Sequence, residues 1–369
     1  FNAKHPNQQT TLIKTLTSHY DDVALAKIIE GAKQIPTTAT MAKRLQTEQL
    51  YRWLLQQKKP EDIFTLMKLD KAGEQLFKDP LVVTWAKYVD VYNKANPNQK
   101  TTLFSAVKTY NDETLAQMLL AAKSAPNMEK IAVRIQADLT NVWLFDLKKT
   151  PNDVFRVLKL KDKEQLLENP IFISWVKYLD DFNAINPQNA ETVISTLAKQ
   201  YSSAKLGTLL IEAQKNPTTA KQAKQLYRDM LKNWLENGNT PSYVFKRLQL
   251  PATGDNLLDS PLFTTWLEYV SYFRKKRPRQ KTSAISILSE NYKDDVLAKM
   301  LVNARDVPKT ETTAAGLLDS LTIGWMHRKH DVPTPATVYK WFLVDGTPED
   351  DAVRKLYNSY KVLYDMKYT

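Results

Sequence analysis

Ile171-Phe172-Ile173-Ser174-Trp175-Val176-Lys177-Tyr178 decides the fold, because the chain carries this stretch in three versions. The others are Leu81-Val82-Val83-Thr84-Trp85-Ala86-Lys87-Tyr88 and Leu262-Phe263-Thr264-Thr265-Trp266-Leu267-Glu268-Tyr269, with the tryptophans 90 and 91 residues apart. Trp and Tyr three apart share one face of a helix. Asp79-Pro80, Asn169-Pro170 and Ser260-Pro261 precede them, each joining a capping side chain to a first-turn proline. Asn96-Pro97, Asn186-Pro187 and Arg277-Pro278 follow and end each helix.

Working outward, a second tryptophan series keeps the same register. Trp53, Trp143, Trp234 and Trp325 recur at 90, 91 and 91 residues. The first stands in a segment from Met41 through Leu45, Leu50, Leu54 and Leu55 whose apolar spacing predicts an amphipathic helix. Pro60, Pro151, Pro241 and Pro335 then restart the chain, each opening a short helix with an aromatic: Phe64, Phe155, Phe245 and Tyr339. A third helix runs to Tyr20, Tyr110, Tyr201 and Tyr292. The polar pairs Asp21-Asp22, Asn111-Asp112, Ser202-Ser203 and Asp294-Asp295 are read as caps of a fourth.

A period of this length is the mark of a tandem array. The fold class expected is all-α, an elongated array of ~90-residue helical bundles with about five helices each and no strand pattern. Residues 1–39 form the last part of one unit, with Phe1-Asn2 through Pro6 paralleling Tyr92-Asn93 through Pro97. Complete units are expected at 40–130, 131–220 and 221–311, and an irregular terminal unit at 312–369, where Tyr357 and Tyr360 replace the Trp/Tyr pair. Because the chain opens inside a repeat, the natural protein is expected to extend upstream.

Composition narrows the function. At 43% hydrophobic and 10% aromatic the chain can bury a sizeable core. Eight glycines against eighteen prolines favour helices with sharp stops over a turn-rich β protein. With no cysteine there is neither a disulfide framework nor cysteine-ligated zinc, which fits a reducing place of action. No apolar run approaches the ~20 residues of a membrane span, and no signal peptide is visible. The net charge of +12 favours acidic partners, although most basic residues are dispersed among acidic ones as solvated faces.

These residues resemble the LWY-repeat class of oomycete RXLR virulence effectors, and the likeness covers essentially the whole chain. It rests on the Trp-x-x-Tyr helix, a Tyr about 25 residues later, and the intervening Leu- and Trp-bearing segment, three times in phase. The resemblance implies that the motif rings pack in the helical core: Trp85 with Tyr110, Trp175 with Tyr201, and Trp266 with Tyr292. It further implies delivery into the cytoplasm or nucleus of plant cells and non-enzymatic binding of host proteins, to suppress immunity. Some LWY members seize the scaffold-plus-catalytic core of host protein phosphatase 2A, which makes that scaffold subunit the sharpest partner to expect. The chain departs from the full pattern in lacking an RXLR or EER element.

No residue set points to chemistry. A Walker loop, a Gly-x-Ser-x-Gly elbow and a dinucleotide fingerprint are all missing. His327 and His330 could share a helix face, but zinc needs another close ligand and their neighbours Arg328 and Lys329 are cationic. His5 and His19 stand alone, and the pairs Asp21/Asp22, Asp180/Asp181 and Asp350/Asp351 read as caps or exposed steps. No catalytic residue, cofactor or metal is expected. The fold residues expected in the core are Trp53, Trp85, Tyr88, Tyr110, Trp143, Trp175, Tyr178, Tyr201, Trp234, Trp266, Tyr269, Tyr292 and Trp325.

One stretch stands out against its own repeat. Arg274-Lys275-Lys276-Arg277-Pro278-Arg279-Gln280-Lys281 carries six cations, whereas the equivalent Asn183-Ala184-Ile185-Asn186-Pro187-Gln188-Asn189 is neutral. Folding therefore does not demand the charge, and Arg274, Lys275, Lys276, Arg277, Arg279 and Lys281 are the candidate partner-binding patch. The expectation is a monomeric scaffold that binds host plant protein. The alternatives are a basic nucleic-acid-binding repeat protein, with a salt-dependent affinity, and an ordinary intracellular adaptor.

Overall fold

The computed structural model describes residues 11–125 and 127–368. The parallel drawn for Phe1–Pro6, and His5 with it, lies outside the described residues. Among those residues every regular element is a helix. The chain divides into two compact units, Phe1–Glu191 and Thr192–Thr369.

In the first unit the long helix Ala39–Leu55 leads to Pro60–Leu66, a pair of short 3-10 turns, and then Leu81–Ala95. Phe104–Val107 and Asp112–Lys123 follow, and the series begins again with Glu129–Asn141, Pro151–Val157 and Pro170–Ile185. In the second unit Val193–Gln200 and Ser203–Ala213 precede Ala220–Glu236, Pro241–Arg247 and Pro261–Lys276. The last series is Ala284–Asn291, Asp294–Arg305, Glu311–Met326, Pro335–Trp341 and Ala352–Tyr368.

Local chemistry fixes these boundaries. Pro151 opens its helix at the first position, and Thr150 and Asp153 form a reciprocal capping box, with N–H to side-chain oxygen distances of 3.0 and 3.2 Å. Asn111 and Ser202 cap the helices that follow them. Asp294 and Asp295 do not. Lys293 occupies that cap, and Asp294 turns instead to Arg328, Nη2 to Oδ1 2.8 Å. Asp294 stands one residue past the cap, at the first helical position, where its side chain is free to pair with Arg328.

Each tryptophan of the Trp-x-x-Tyr helices is tied to the short proline helix before it. The indole Nε1 of Trp85, Trp175 and Trp266 donates to the carbonyls of Pro60, Pro151 and Pro241, at 3.0, 2.8 and 2.9 Å. The tyrosine one turn on reaches two residues further back: Tyr88 donates to Lys58 O, Tyr178 to Lys149 O at 2.8 Å, and Tyr269 to Asn239 O. A buried ring thus supplies large apolar area while its single polar atom closes a loop carbonyl.

The ~90-residue period hides a compensated length change. Trp143 and Pro151 are eight apart, whereas Trp53 to Pro60 and Trp234 to Pro241 are seven. The extra residue is absorbed as a π-helical turn, Val142–Asp146, in which the Leu147 N–H reaches Val142 O at 2.8 Å. The chain then returns to register through a left-handed residue just before the loop carbonyl: Lys148 at φ 46°, matching Gln57 at 56° and Gly238 at 71°. One residue is missing again before Trp175, which lies 24 after its proline against 25 in the other copies.

Candidate protein-interaction surface

The periodic rings are interior. Trp53, Trp85, Tyr88, Trp175, Tyr178, Trp266, Tyr269 and Trp325 are all but sealed from solvent, and Trp143, Tyr201 and Trp234 are buried too. Tyr110 and Tyr292 differ: both lie half-buried at the rim, their hydroxyls facing Gly73 O at 3.2 Å and Leu250 O at 3.5 Å. The ring against Trp85 is Phe64, 4.9 Å centre to centre, and not Tyr110. Tyr201, which closes its helix at the equivalent place, is buried, so the copies differ in how deeply this ring sits.

Burial also sets the phenols' acidity. The Tyr88 hydroxyl is pushed up to about 12 by burial, with Tyr92 and Asp62 adding to it. Tyr178, Tyr269 and Tyr360 are raised for the same leading reason.

The basic run sits where the Pro261–Lys276 helix meets its loop. Arg274, Lys275 and Lys276 form the last helical turn, where positive charge complements the helix dipole. Arg277 closes it, its N–H on Phe273 O at 2.7 Å. Arg279 and Lys281 continue along the loop to Ser283, which caps Ala284–Asn291. All six cations are exposed, and none has an ion-pair partner among the described residues. Arg274, Lys275 and Lys281 share a shallow depression of about 710 Å³ with the hydroxyl-bearing Ser271, Thr282 and Ser286.

His327 and His330 are both exposed; the Nδ1 of His327 lies 2.8 Å from Ile323 O at a helix end. Among the described residues no three His, Asp or Glu side chains gather as a metal site would require, and no helix is long and apolar enough to cross a membrane. Asp180 and Asp181 lie within the Pro170–Ile185 helix, and Asp351 binds Arg305 at 2.9 Å. The Arg305 guanidinium, together with two backbone N–H groups, holds the Asp351 carboxyl below the usual range, against a smaller opposing effect of burial.

Sequence reasoning missed a polar node in the first unit. Gln46, on the long helix, donates from Nε2 to Glu30 Oε1 at 2.6 Å and to Thr84 Oγ1 at 2.8 Å. Lys33 meets the other Glu30 oxygen at 2.6 Å, and Lys87 donates to Gln46 Oε1 at 2.7 Å. Glu30, Gln46 and Thr84 are buried, and the Glu30 carboxyl group is held inside by three donors, Lys33, Gln46 and Thr84. Only the three-helix junction brings these residues together, and no linear motif announces it.

The family comparisons agree with this architecture. The WY-domain model of the effector PexRD54 matches residues 48–89, 139–179 and 230–270, each span running from a long tryptophan helix to the next Trp-x-x-Tyr helix. The RxLR effector protein PSR2 of Phytophthora sojae is 36% identical over 332 residues, 89% of this chain and 49% of that protein. PSR2 of Phytophthora infestans is 34% identical over 367 residues, covering 98% and 47%. The chain therefore spans about half the length of these curated relatives. The crystal structure of PcRxLR12 superposes with a TM-score of 0.66 at 30% identity, over 96% of this chain and 86% of that one. With three copies of the family's domain in register and a solved relative matched almost end to end, this chain belongs to the RxLR effector family known from Phytophthora.

Proposed function

We propose that the chain is a non-enzymatic, monomeric scaffold that binds host plant proteins and thereby suppresses immunity. The observation that carries this reading is the division of labour between interior and exterior. The rings, their carbonyl anchors and the proline starts repeat from copy to copy, while exposed charge does not: six unpaired cations at 274–281 stand where the preceding copy is neutral. A surface free of folding constraint is where partner selection accumulates. The repeat limits 40–130, 131–220 and 221–311, with partial units at 1–39 and 312–369, describe the segments whose removal would separate binding from folding.

RxLR effectors are secreted and translocated into host cells, and the host cytoplasm or nucleus is the proposed place of action. The finer reading is capture of the protein phosphatase 2A core through its scaffold subunit, which the LWY resemblance nominates. Affinity purification from plant cells, with nuclease present, tests the adaptor reading: one host protein should co-purify in stable stoichiometry. Recovery of no host protein would sink it. The basic run also favours nucleic acid as a second reading, in which affinity falls steeply with salt; absence of binding at low salt removes it.

A further inference from the structure

One cavity occurs twice in this chain, with its charge reversed. In the first unit a hollow of about 550 Å³ is lined by Lys33, Lys78 and Lys87, over a floor that includes Phe77, Pro80 and Met128. In the second unit the repeat-equivalent hollow, about 320 Å³, presents Gln214, Asp259 and Glu268, with the single cation Lys309, over Leu258, Pro261 and Thr310. The offset is 181 residues for each charged position and for Phe77/Leu258 and Pro80/Pro261. Every lysine of the first cavity is thus replaced, two of them by carboxylates, while Phe77 and Pro80 keep apolar counterparts and Met128 gives way to Lys309. Building the frame does not require the lysines.

The charge balance in the first cavity leaves it short of an anion. Its carboxylate, Glu30, is already occupied by Lys33, Gln46 and Thr84. Lys87 has the neutral Gln46 Oε1 as its acceptor, and Lys78 has no ion-pair partner among the described residues. An ammonium carries three donors, and Lys78 and Lys87 are exposed at the lip of the hollow, so donors beyond those already used are open to a ligand. Burial, and then the charge of Lys33, lower the proton affinity of Lys87, and the opposing pull of the Glu30 carboxylate does not cancel them. In the second cavity the corresponding carboxylate, Glu268, accepts from the Tyr227 hydroxyl at 2.8 Å, and Ile211 stands where Glu30 does.

We propose that the cavity bounded by Lys33, Lys78 and Lys87 receives an anionic side chain of a protein partner, a carboxylate or a phosphoserine phosphate. This rests on the reading of the chain as a protein-binding scaffold. A hollow of this size admits one side chain, on which the three ammonium groups can converge with charge-assisted hydrogen bonds. A nucleic-acid backbone needs a row of cationic contacts, whereas these three lysines converge on a single hollow.

The test follows the lysine side chains by NMR in the full chain, with ε-13C-labelled lysine and K78R and K87R for assignment. Three capped peptides are titrated, identical except for glutamate, phosphoserine or glutamine at the centre. The expected result is a saturable shift of the Lys33, Lys78 and Lys87 signals with the glutamate or phosphoserine peptide, and none with glutamine. Whichever anion saturates them identifies the source. In K78D/K87E, which introduces the two carboxylates of the sister cavity, the saturable shift of Lys33 should vanish; K78Q/K87Q serves if that variant does not fold. Equal, non-saturating shifts at Lys275, Lys276 and Lys281, or no shift at any lysine, would overturn the proposal. Neither result touches host-protein capture by the wild type, which tests the scaffold reading separately.

Discussion

Trp234 and Tyr269 meet edge to face, ring centres 5.4 Å apart and planes at 83°, although 35 residues separate them. Trp53/Tyr88 and Trp143/Tyr178 repeat the arrangement at 5.6 Å, and Trp325/Tyr360 at 5.9 Å. The two tryptophan series therefore belong to one device: the long helix supplies an indole, and the Trp-x-x-Tyr helix clamps it with its phenol. Edge-to-face pairs contribute ~0.5–1.5 kcal/mol beyond the area they bury.

Trp175 is sealed from solvent, stacks on Phe172 and donates to Pro151 O. Trp175→Ala should cost about 3–5 kcal/mol, through lost burial and the cavity left behind. Chemical denaturation followed by circular dichroism measures this. A loss under about 1 kcal/mol would mean the ring is not part of a packed core.

Alkali should unfold the chain through its phenols. Tyr88 titrates near 12 in the folded chain against 10.0 when free, and Tyr178 and Tyr269 are raised as well. Above pH 10 the unfolded state releases protons that the folded state keeps, so stability is whole below pH 10 and is lost as pH rises through 12. Tyrosinate absorbance should therefore show one fraction titrating near 10 and another appearing together with loss of helicity. A single transition near 10 with the helices intact would contradict the buried hydroxyls.

The π-helical turn predicts an asymmetry in tolerance to deletion. Removing Leu147 restores the seven-residue Trp-to-Pro spacing found after Trp53 and Trp234 and should leave stability within about 1 kcal/mol. Removing Gln56 creates a six-residue spacing for which no copy of this fold provides, so Lys58 O and Pro60 O can no longer both meet Tyr88 and Trp85. Thermal melts of the two deletions should differ by more than about 5 °C. Equal losses would show that the extra residue is structurally required.

The period, the helix starts and the burial of most motif rings were legible because each is written in neighbouring residues or in a repeat of fixed length. What was not legible depends on segments that meet only after folding. The Trp53–Tyr88 clamp joins residues that the spacing pattern alone does not link, and the half-buried Tyr110 lies too near a helix end for periodicity to place. The insertion before Pro151 escaped notice because a deletion before Trp175 restores the period. The charge-reversed cavity required comparing three separated lysines with their counterparts at 214, 259 and 268.

The basic run is where stability and recognition should separate. Replacing Arg274, Lys275, Lys276, Arg277, Arg279 and Lys281 with glutamine removes six of the 52 cations and breaks no ion pair among the described residues. The melting temperature should move by no more than about 2 °C, because exposed substitutions away from buried networks are nearly neutral; the small loss that remains comes from the helix dipole at 274–276. Host-protein capture at low salt should weaken, and the wild type should approach the variant as salt screens the patch. If capture is unchanged at every ionic strength, partner recognition lies on another face, and the six cations serve only to keep that helix end solvated.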